Sequence, residues 1–330
     1  MPKTSTDPIR HALNGPTMGT RWSALFHADA GLDPAPVQAA LQAAVTDVDA
    51  RMSTWKPDSD LMRLNRTPEG VRVIVPAGLA EVLVLGLRIG TASGGAFDIG
   101  MGDAARAWGF GSEPANAEAM RAAMATARRP AQEALEVDPL AGLARKHAPI
   151  ALDLNGIAKG HGVDRLAKTL QGFGITAFLV GIDGEMRASG LRPDGMPWTV
   201  AVEMPDPERR APHSILKLAD AAVATSGDYR HYVTLRGRRL SHTMDPTTGG
   251  PLRSSPASVT VVARTCAEAD AWATALMVLG PQAGGELASR LGLHALFLIR
   301  EAGVIRTHAV GALFDSPMVS AAGREGLVRA

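Results

Sequence analysis

Leu293-His294-Ala295-Leu296-Phe297-Leu298-Ile299-Arg300, then Glu301-Ala302-Gly303, then Val304-Ile305-Arg306-Thr307-His308-Ala309-Val310 is the stretch on which the fold reading turns. Two apolar runs of strand length, separated by three residues that include a glycine, read as a β-hairpin. A tight turn of this kind joins antiparallel strands, because parallel neighbours need a long crossover. Working outward, Ser258 to Ala263, His231 to Leu235, Trp198 to Glu203 and Ala177 to Ile182 have the same short-strand texture, as does Arg21 to His27 near the start. The helical segments do not alternate with them one for one. Pro34 and Pro36 open a helix whose apolar residues Val37, Leu41, Val45, Val48 and Met52 recur with helical period. Leu61, Met62 and Leu64 begin another packed turn. Leu79 to Ile89 reads as a buried helix ending at Ser93-Gly94-Gly95, and Pro114 to Arg129 as an exposed one bounded by Pro130. Ile150 to Leu154 reads as a short strand, turned by Asn155-Gly156 into a helix from about Ala158 to Leu170. The expected class is therefore α+β, mixed helices and antiparallel sheets, rather than a doubly wound sheet. Residues 1–17 read as an N-terminal tail and residues 18–330 as one domain with no visible internal boundary.

Composition removes several function classes. The 330 residues are 46% hydrophobic and 20% charged, and 34 Lys and Arg against 33 Asp and Glu leave a formal charge of +1. A protein that neutralises a phosphate backbone carries a basic excess, so nucleic acid is not an expected partner. A single cysteine, Cys266, excludes an internal disulfide framework, an iron–sulfur cluster and a thiolate zinc site. The longest apolar stretches are too short to span a bilayer and are interrupted by Glu81, Gly86 and Arg88. Met1 to Asp7 has no apolar run behind a basic region, so a cytoplasmic protein is expected.

Oxygen and nitrogen groups must then carry any chemistry. Thr265-Cys266-Ala267-Glu268 is a capping box opening a helix that runs to Leu279 and ends at Gly280-Pro281. Asp270 and Thr274 lie four residues apart on one face near its amino end. They read either as two hard donors suited to Mg²⁺ or as a dipole-favoured acid beside a solvent-facing threonine. As a surface residue, Asp270 is expected to be replaceable by alanine at a cost of only about 0.3–1 kcal/mol. Asp153-Leu154-Asn155-Gly156-Ile157-Ala158-Lys159-Gly160 turns into a helix and presents free amides to an anion, or is an ordinary strand-to-helix turn. Lys159 stands where the helix dipole disfavours it, a hint of bound phosphate. Gly100-Met101-Gly102-Asp103 fits a dinucleotide fingerprint only nominally, since no strand leads into it. Ser226 is outside any Gly-x-Ser-x-Gly elbow. His242 precedes the strong turn Asp245 to Gly249, as a titrating group at a cleft or a loop histidine. Trp55, in a polar loop, either stacks on a base or covers the edge of the core.

Seven segments in order resemble the FAD:protein FMN transferases, the ApbE-type flavin transferases. They are Met18-Gly19-Thr20; Met52-Ser53-Thr54-Trp55 with Leu64-Asn65; Gly95-Ala96-Phe97-Asp98 with Trp108-Gly109-Phe110-Gly111; Asp153 to Gly160; Ala224-Thr225-Ser226-Gly227-Asp228; His242 to Gly249; and Ala269-Asp270-Ala271-Trp272-Ala273-Thr274-Ala275-Leu276. The resemblance implies Mg²⁺-dependent transfer of FMN from FAD to a Ser or Thr hydroxyl of a flavoprotein, with release of AMP. It implies Asp270, Thr274 and the Gly156 carbonyl as metal ligands, with Asp270 and His242 in catalysis. Trp55 would meet the adenine end, and Ala96, Phe97, Asp98, Asp153, Lys159 and His242 the flavin nucleotide. The acceptor signature Ser/Thr-Gly-Ala-Ser/Thr is absent here, as a donor enzyme implies. Gly181-Ile182-Asp183-Gly184-Glu185 departs from the family's Asn-Leu-Gly-Gly-Asp and receives no binding role. An FAD pyrophosphatase and a non-catalytic flavin-binding protein are the alternatives.

Overall fold

The computed structural model describes residues 8–229, 232–235, 238–252 and 256–314. His231, where one expected strand begins, lies outside them. The chain opens with a hairpin, β1 (Ile9–Thr17) and β2 (Thr20–Ala28), followed by α1 (Pro34–Met52) and α2 (Asp60–Arg66). Short β3 (Arg72–Ile74) leads to α3 (Ala77–Ala92), α4 (Gly102–Ala107), α5 (Ala117–Ala125) and α6 (Ala131–Ala134). β4 (Leu135–Asp138) and β5 (Leu143–Lys146) complete a small sheet with β3. After α7 (Ala158–Gly172) come β6 (Phe178–Ile182), β7 (Glu185–Ser189), β8 (Trp198–Glu203), β9 (Pro212–Leu218) and β10 (Ala222–Gly227). Two minor hairpins follow, β11 (Tyr232–Leu235) with β12 (Arg238–Ser241) and β13 (Met244–Asp245) with β14 (Gly250–Pro251). Then come β15 (Ser258–Ala263), α8 (Cys266–Leu291), β16 (His294–Glu301) and β17 (Val304–Val310).

Eight strands form the main sheet in the order β1-β2-β6-β7-β10-β15-β16-β17, and each neighbouring pair is antiparallel. The α+β expectation holds, and the hairpin that decided it is β16–β17. Side chains alternate between faces as the pleat requires. Phe178, Val180 and Ile182 pack with α1 and α7, while Leu179 between them joins the opposite face. In the same way Val259 and Val261 meet α8, and Val262 turns toward the β8–β9 hairpin. Helices thus cover one face, and β8–β9 covers the other. The five apolar residues that announced α1 are all buried.

Several boundaries differ from the sequence reading. Ile9–Thr17, placed in a tail, is the edge strand β1, paired along its length with β2. Its Asn-Gly-Pro content hides a strand that only needs to satisfy one side. Ile150 to Leu154 is no strand; only Ala151 makes a bridge, parallel to Met101. The Asn65 side chain has taken the ladder's place, donating to the Leu152 carbonyl at 2.9 Å and accepting its N–H at 2.7 Å. The exposed helix expected over Pro114 to Arg129 is shorter, capped by Asn116 and ending at Ala125. Gly280 does break the last helix with φ 75°, but Pro281 starts a second stretch that reaches Leu291. Proline in the first turn is pre-set for exactly such a restart, since the missing N–H has no partner there anyway.

α7 and α8 meet at a glycine. A Cβ on Gly160 would run into the Cys266 carbonyl oxygen and lie 2.8 Å from Ala267 Cα, both backbone atoms that cannot swing aside. Helix propensity alone would have Gly160→Ala stabilise α7 by about 1 kcal/mol. The clash has the opposite sign and prevails: we expect a net loss of about 2–3 kcal/mol, read by chemical denaturation.

Candidate active site

The same two helices cap one another. α7 begins at Ala158 with Ile157 as N-cap, a residue without a side-chain acceptor. The amide of Gly160, in the first turn, would be an orphan donor. It donates instead to Asp270 Oδ2 of α8 at 3.0 Å. In return Asp164 of α7 accepts from Cys266 N at 2.9 Å and Ala267 N at 3.0 Å, the first amides of α8. Thr265 adds the expected side-chain cap. Asp270 is therefore not the surface acid of the sequence reading. It is 5% exposed, and burial, with Glu185 nearby, pushes its carboxyl up to about 7. Its burial follows from a glycine 110 residues away, which no local pattern reveals.

One turn along α8, Thr274 is half-buried and faces Gly156. A Cβ on Gly156 would stand 3.1 Å from Thr274 Oγ1 and 3.2 Å from Phe97 Cε2. The bare backbone at 156 thus lets the turn approach both side chains. Ser226, at the end of β10, has its Oγ 3.1 Å from Thr274 Oγ1. Ser226 has no local signature once a hydrolase elbow is absent; it lies within the Ala224 to Asp228 motif, but only the sheet brings it to α8.

The turn itself is held by its own polar groups. Asp153 accepts from the Asn155 amide at 2.7 Å and from its side chain at 3.0 Å, an Asx-turn. Burial raises the pKa of Asp153 against that hydrogen bond. Asp98 binds Gly100 N at 2.7 Å and Ala131 N at 3.2 Å, so its carboxylate organises the loop after α3; burial raises its pKa too. Ala96 and Phe97 beside it are buried.

Lys159 is the charged member of the group. Its Nζ lies 2.7 Å from Glu185 Oε1 and 3.8 Å from Asp183 Oδ2. Burial opposes the ammonium, but Glu185, Asp270 and Asp183 outweigh it and raise its pKa. The acids in the Gly181 to Glu185 departure therefore answer the lysine that the helix dipole disfavours. Glu185 is 4% exposed and its second oxygen, Oε2, has no hydrogen-bond partner. Burial raises its pKa in spite of Lys159.

On the other side of α7, His161 is 7% exposed and burial lowers its pKa to about 4. The unfolded imidazole takes its proton near 6.5, the folded one only near 4. The neutral ring's contribution is present above pH 6.5 and is lost as pH falls toward 4, by about 3 kcal/mol at most. Denaturation curves of His161→Gln should show a flatter pH dependence across that window.

Trp55 and His242 are held elsewhere in the chain. Trp55, 60% exposed, follows α1 with its amide bonded to Ser53 Oγ at 3.1 Å. His242 follows β12 and meets Phe110 edge-on with centroids 6.2 Å apart. Trp108 donates to the Gly249 carbonyl at 3.3 Å, tying the α4 region to the turn after His242.

The ApbE family profile matches residues 18–297. The chain belongs to the ApbE family. Among relatives of this family, the FAD:protein FMN transferase of Klebsiella pneumoniae is 35% identical over 88% of this chain and 84% of its own length. That of Escherichia coli K12 is 34% identical over 89% of this chain and 86% of its own. Among solved ApbE structures, the apo flavinyl transferase of Pseudomonas stutzeri superposes with a TM-score of 0.81 at 35% identity, covering 94% of this chain and 96% of that one. The flavin transferase ApbE of Vibrio cholerae gives 0.81 at 32% identity, covering 93% and 98%. The antiparallel sheet with its helical cover is thus the ApbE architecture. Among the described residues no helix is long and apolar enough to cross a membrane.

Proposed function

We propose that this ApbE-family enzyme transfers FMN from FAD to a Ser or Thr hydroxyl of an acceptor flavoprotein bearing Ser/Thr-Gly-Ala-Ser/Thr, with Mg²⁺ and with release of AMP. The observation that carries the reading is the meeting of Asp270 and Thr274 on α8 with the glycine turn that opens α7. The names of the relatives support the same activity.

The residues fit a magnesium ion. Carboxylate, hydroxyl and the Gly156 carbonyl are hard oxygen donors, the kind that Mg²⁺ takes alongside substrate phosphates. When bound, the ion would screen the pyrophosphate and stabilise departing AMP. In the transfer, the acceptor oxygen forms a bond to the FMN phosphorus, and the bond from that phosphorus to the oxygen shared with AMP breaks. Phosphoryl transfer asks the protein mainly for position and positive charge. Lys159, held in its charged form by Glu185 and Asp183, supplies the positive group at the first turn of α7. Phe97 and Ala96 offer an apolar wall to the flavin end, with Asp98 and Asp153 shaping the loops on either side. Trp55 presents an exposed ring to the adenine. His242 serves binding and transfer, as hydrogen-bond partner or as acceptor of the hydroxyl proton. The cytoplasmic setting expected from the sequence goes with this reading, and cell fractionation tests it.

The test is AMP release from FAD with Mg²⁺, with and without an acceptor peptide carrying the signature, while the peptide mass is followed. AMP together with a stable FMN adduct on the peptide is the expected result. AMP and free FMN without adduct would make the chain an FAD pyrophosphatase. Bound FAD with no AMP in either arm would leave a flavin-binding protein.

A further inference from the structure

We propose that Ser226 is a positioning residue that orients the Thr274 hydroxyl toward the cation site, an inference that rests on the magnesium reading above. A threonine hydroxyl has one proton and two lone pairs, and the proton rotates to suit its surroundings. To ligate a cation, Thr274 Oγ1 must turn a lone pair toward the site and its proton away. A threonine inside a helix ordinarily disposes of that proton on the carbonyl four residues back. Thr274 instead has Ser226 Oγ at 3.1 Å, across the interface between β10 and α8. A hydroxyl that accepts the proton there holds the oxygen's free lone pair on the side of Gly156 and Asp270.

The surroundings make this contact a fixed one. β10 is paired with β7 at Ala222 and Val223 and with β15 along its whole length, which places Ser226 opposite Val259. Next to it Thr225 Oγ1 lies 2.8 Å from Thr260 Oγ1, so the neighbouring hydroxyl already has its own partner. On the α8 side, Asp270 is tied to Gly160 and the helix start to Asp164. At its start α8 also meets β10 directly, where Cys266 Sγ lies 3.9 Å from the Val223 carbonyl, so the two elements are joined at a second point besides Ser226–Thr274. Groups that orient metal ligands in this way typically change metal affinity 10–100-fold when removed.

The experiment is a calorimetric titration of Mg²⁺ into the full chain with saturating FAD and no acceptor. It uses wild type, Ser226→Ala, Thr274→Ala, the double variant and Ser226→Thr. We expect Ser226→Ala to bind Mg²⁺ about 10–100-fold more weakly. It should melt close to wild type in chelator, and Ser226→Thr should recover binding. In the Thr274→Ala background, Ser226→Ala should cost no further affinity, because its effect runs through that hydroxyl. Wild-type affinity in Ser226→Ala overturns the inference while leaving the magnesium reading in place. So does an equal loss with and without Thr274, which would make Ser226 a general support of the strand. If wild type binds no Mg²⁺, or binds it unchanged in Asp270→Ala, the magnesium reading itself fails and takes this inference with it.

Discussion

A chain carrying Asp270→Ala is expected to lose FMN transfer by more than about a hundredfold while remaining folded. The activity falls because the one carboxylate of the proposed cation site is gone, and neither Thr274 nor the Gly156 carbonyl carries a full charge to replace it. Stability in chelator is a balance of two terms. Gly160 loses the acceptor of its amide, at a cost of about 1–3 kcal/mol. Against that, a buried carboxyl is removed whose pKa stands at about 7 rather than its ordinary 3.8. The folded protein holds that proton more tightly than the unfolded chain, so wild-type stability declines as pH rises from about 4 to 7. The variant escapes this decline. Its melting temperature should therefore lie closest to wild type at neutral pH and above, and fall behind it toward pH 4. Full transfer activity in Asp270→Ala would sink the cation assignment.

Lys159→Met should have the second large effect, on stability as well as on turnover. Breaking a buried ion pair from one side leaves the other charge stranded, a loss of about 3–5 kcal/mol. Here the stranded group is Glu185, nearly inaccessible and already short of a partner for Oε2. The lysine is partly exposed, which favours the lower end of that range. Protonating Glu185 relieves the penalty, so the destabilisation should be largest at alkaline pH and shrink on acidification. Glu185→Gln in the same chain should restore most of the stability without restoring transfer, because the cation at the head of α7 is still missing. Strictly additive losses in a denaturation cycle of the two positions would show that the pair is not coupled.

How far the sequence could be read depends on whether a feature is local. The α1 stripe of Val37, Leu41, Val45, Val48 and Met52 and the β16–β17 hairpin carry their own periodicity, and both were legible. β1 was not, because an edge strand with a polar side and an Asn-Gly-Pro stretch has no alternation to recognise. Residues 150–154 look like a strand because the alternation is present. The backbone of Leu152 at their centre, however, bonds to the side chain of Asn65, a partner 87 residues earlier. In the site, the four-residue spacing of Asp270 and Thr274 placed both on one helical face. That Asp270 is buried depends on Gly160, and that the Lys159 ammonium has a buried partner depends on Glu185 on the next hairpin; both are tertiary facts. The acidic departure at Asp183 to Glu185, which received no binding role from the sequence, is the counter-charge of Lys159.

The mutual capping of α7 and α8 also bears on the order of events during synthesis. The bond from Gly160 to Asp270 closes a loop of 110 residues, and such distant closures form late and slowly. While the ribosome is still making the hairpins between them, the glycine turn is already outside with its amides unanswered. A nascent chain thus has a lysine and a loop but no second helix to complete the constellation. The constellation of Asp270, Thr274 and the glycine turn therefore comes into being in a single late event, the docking of α8.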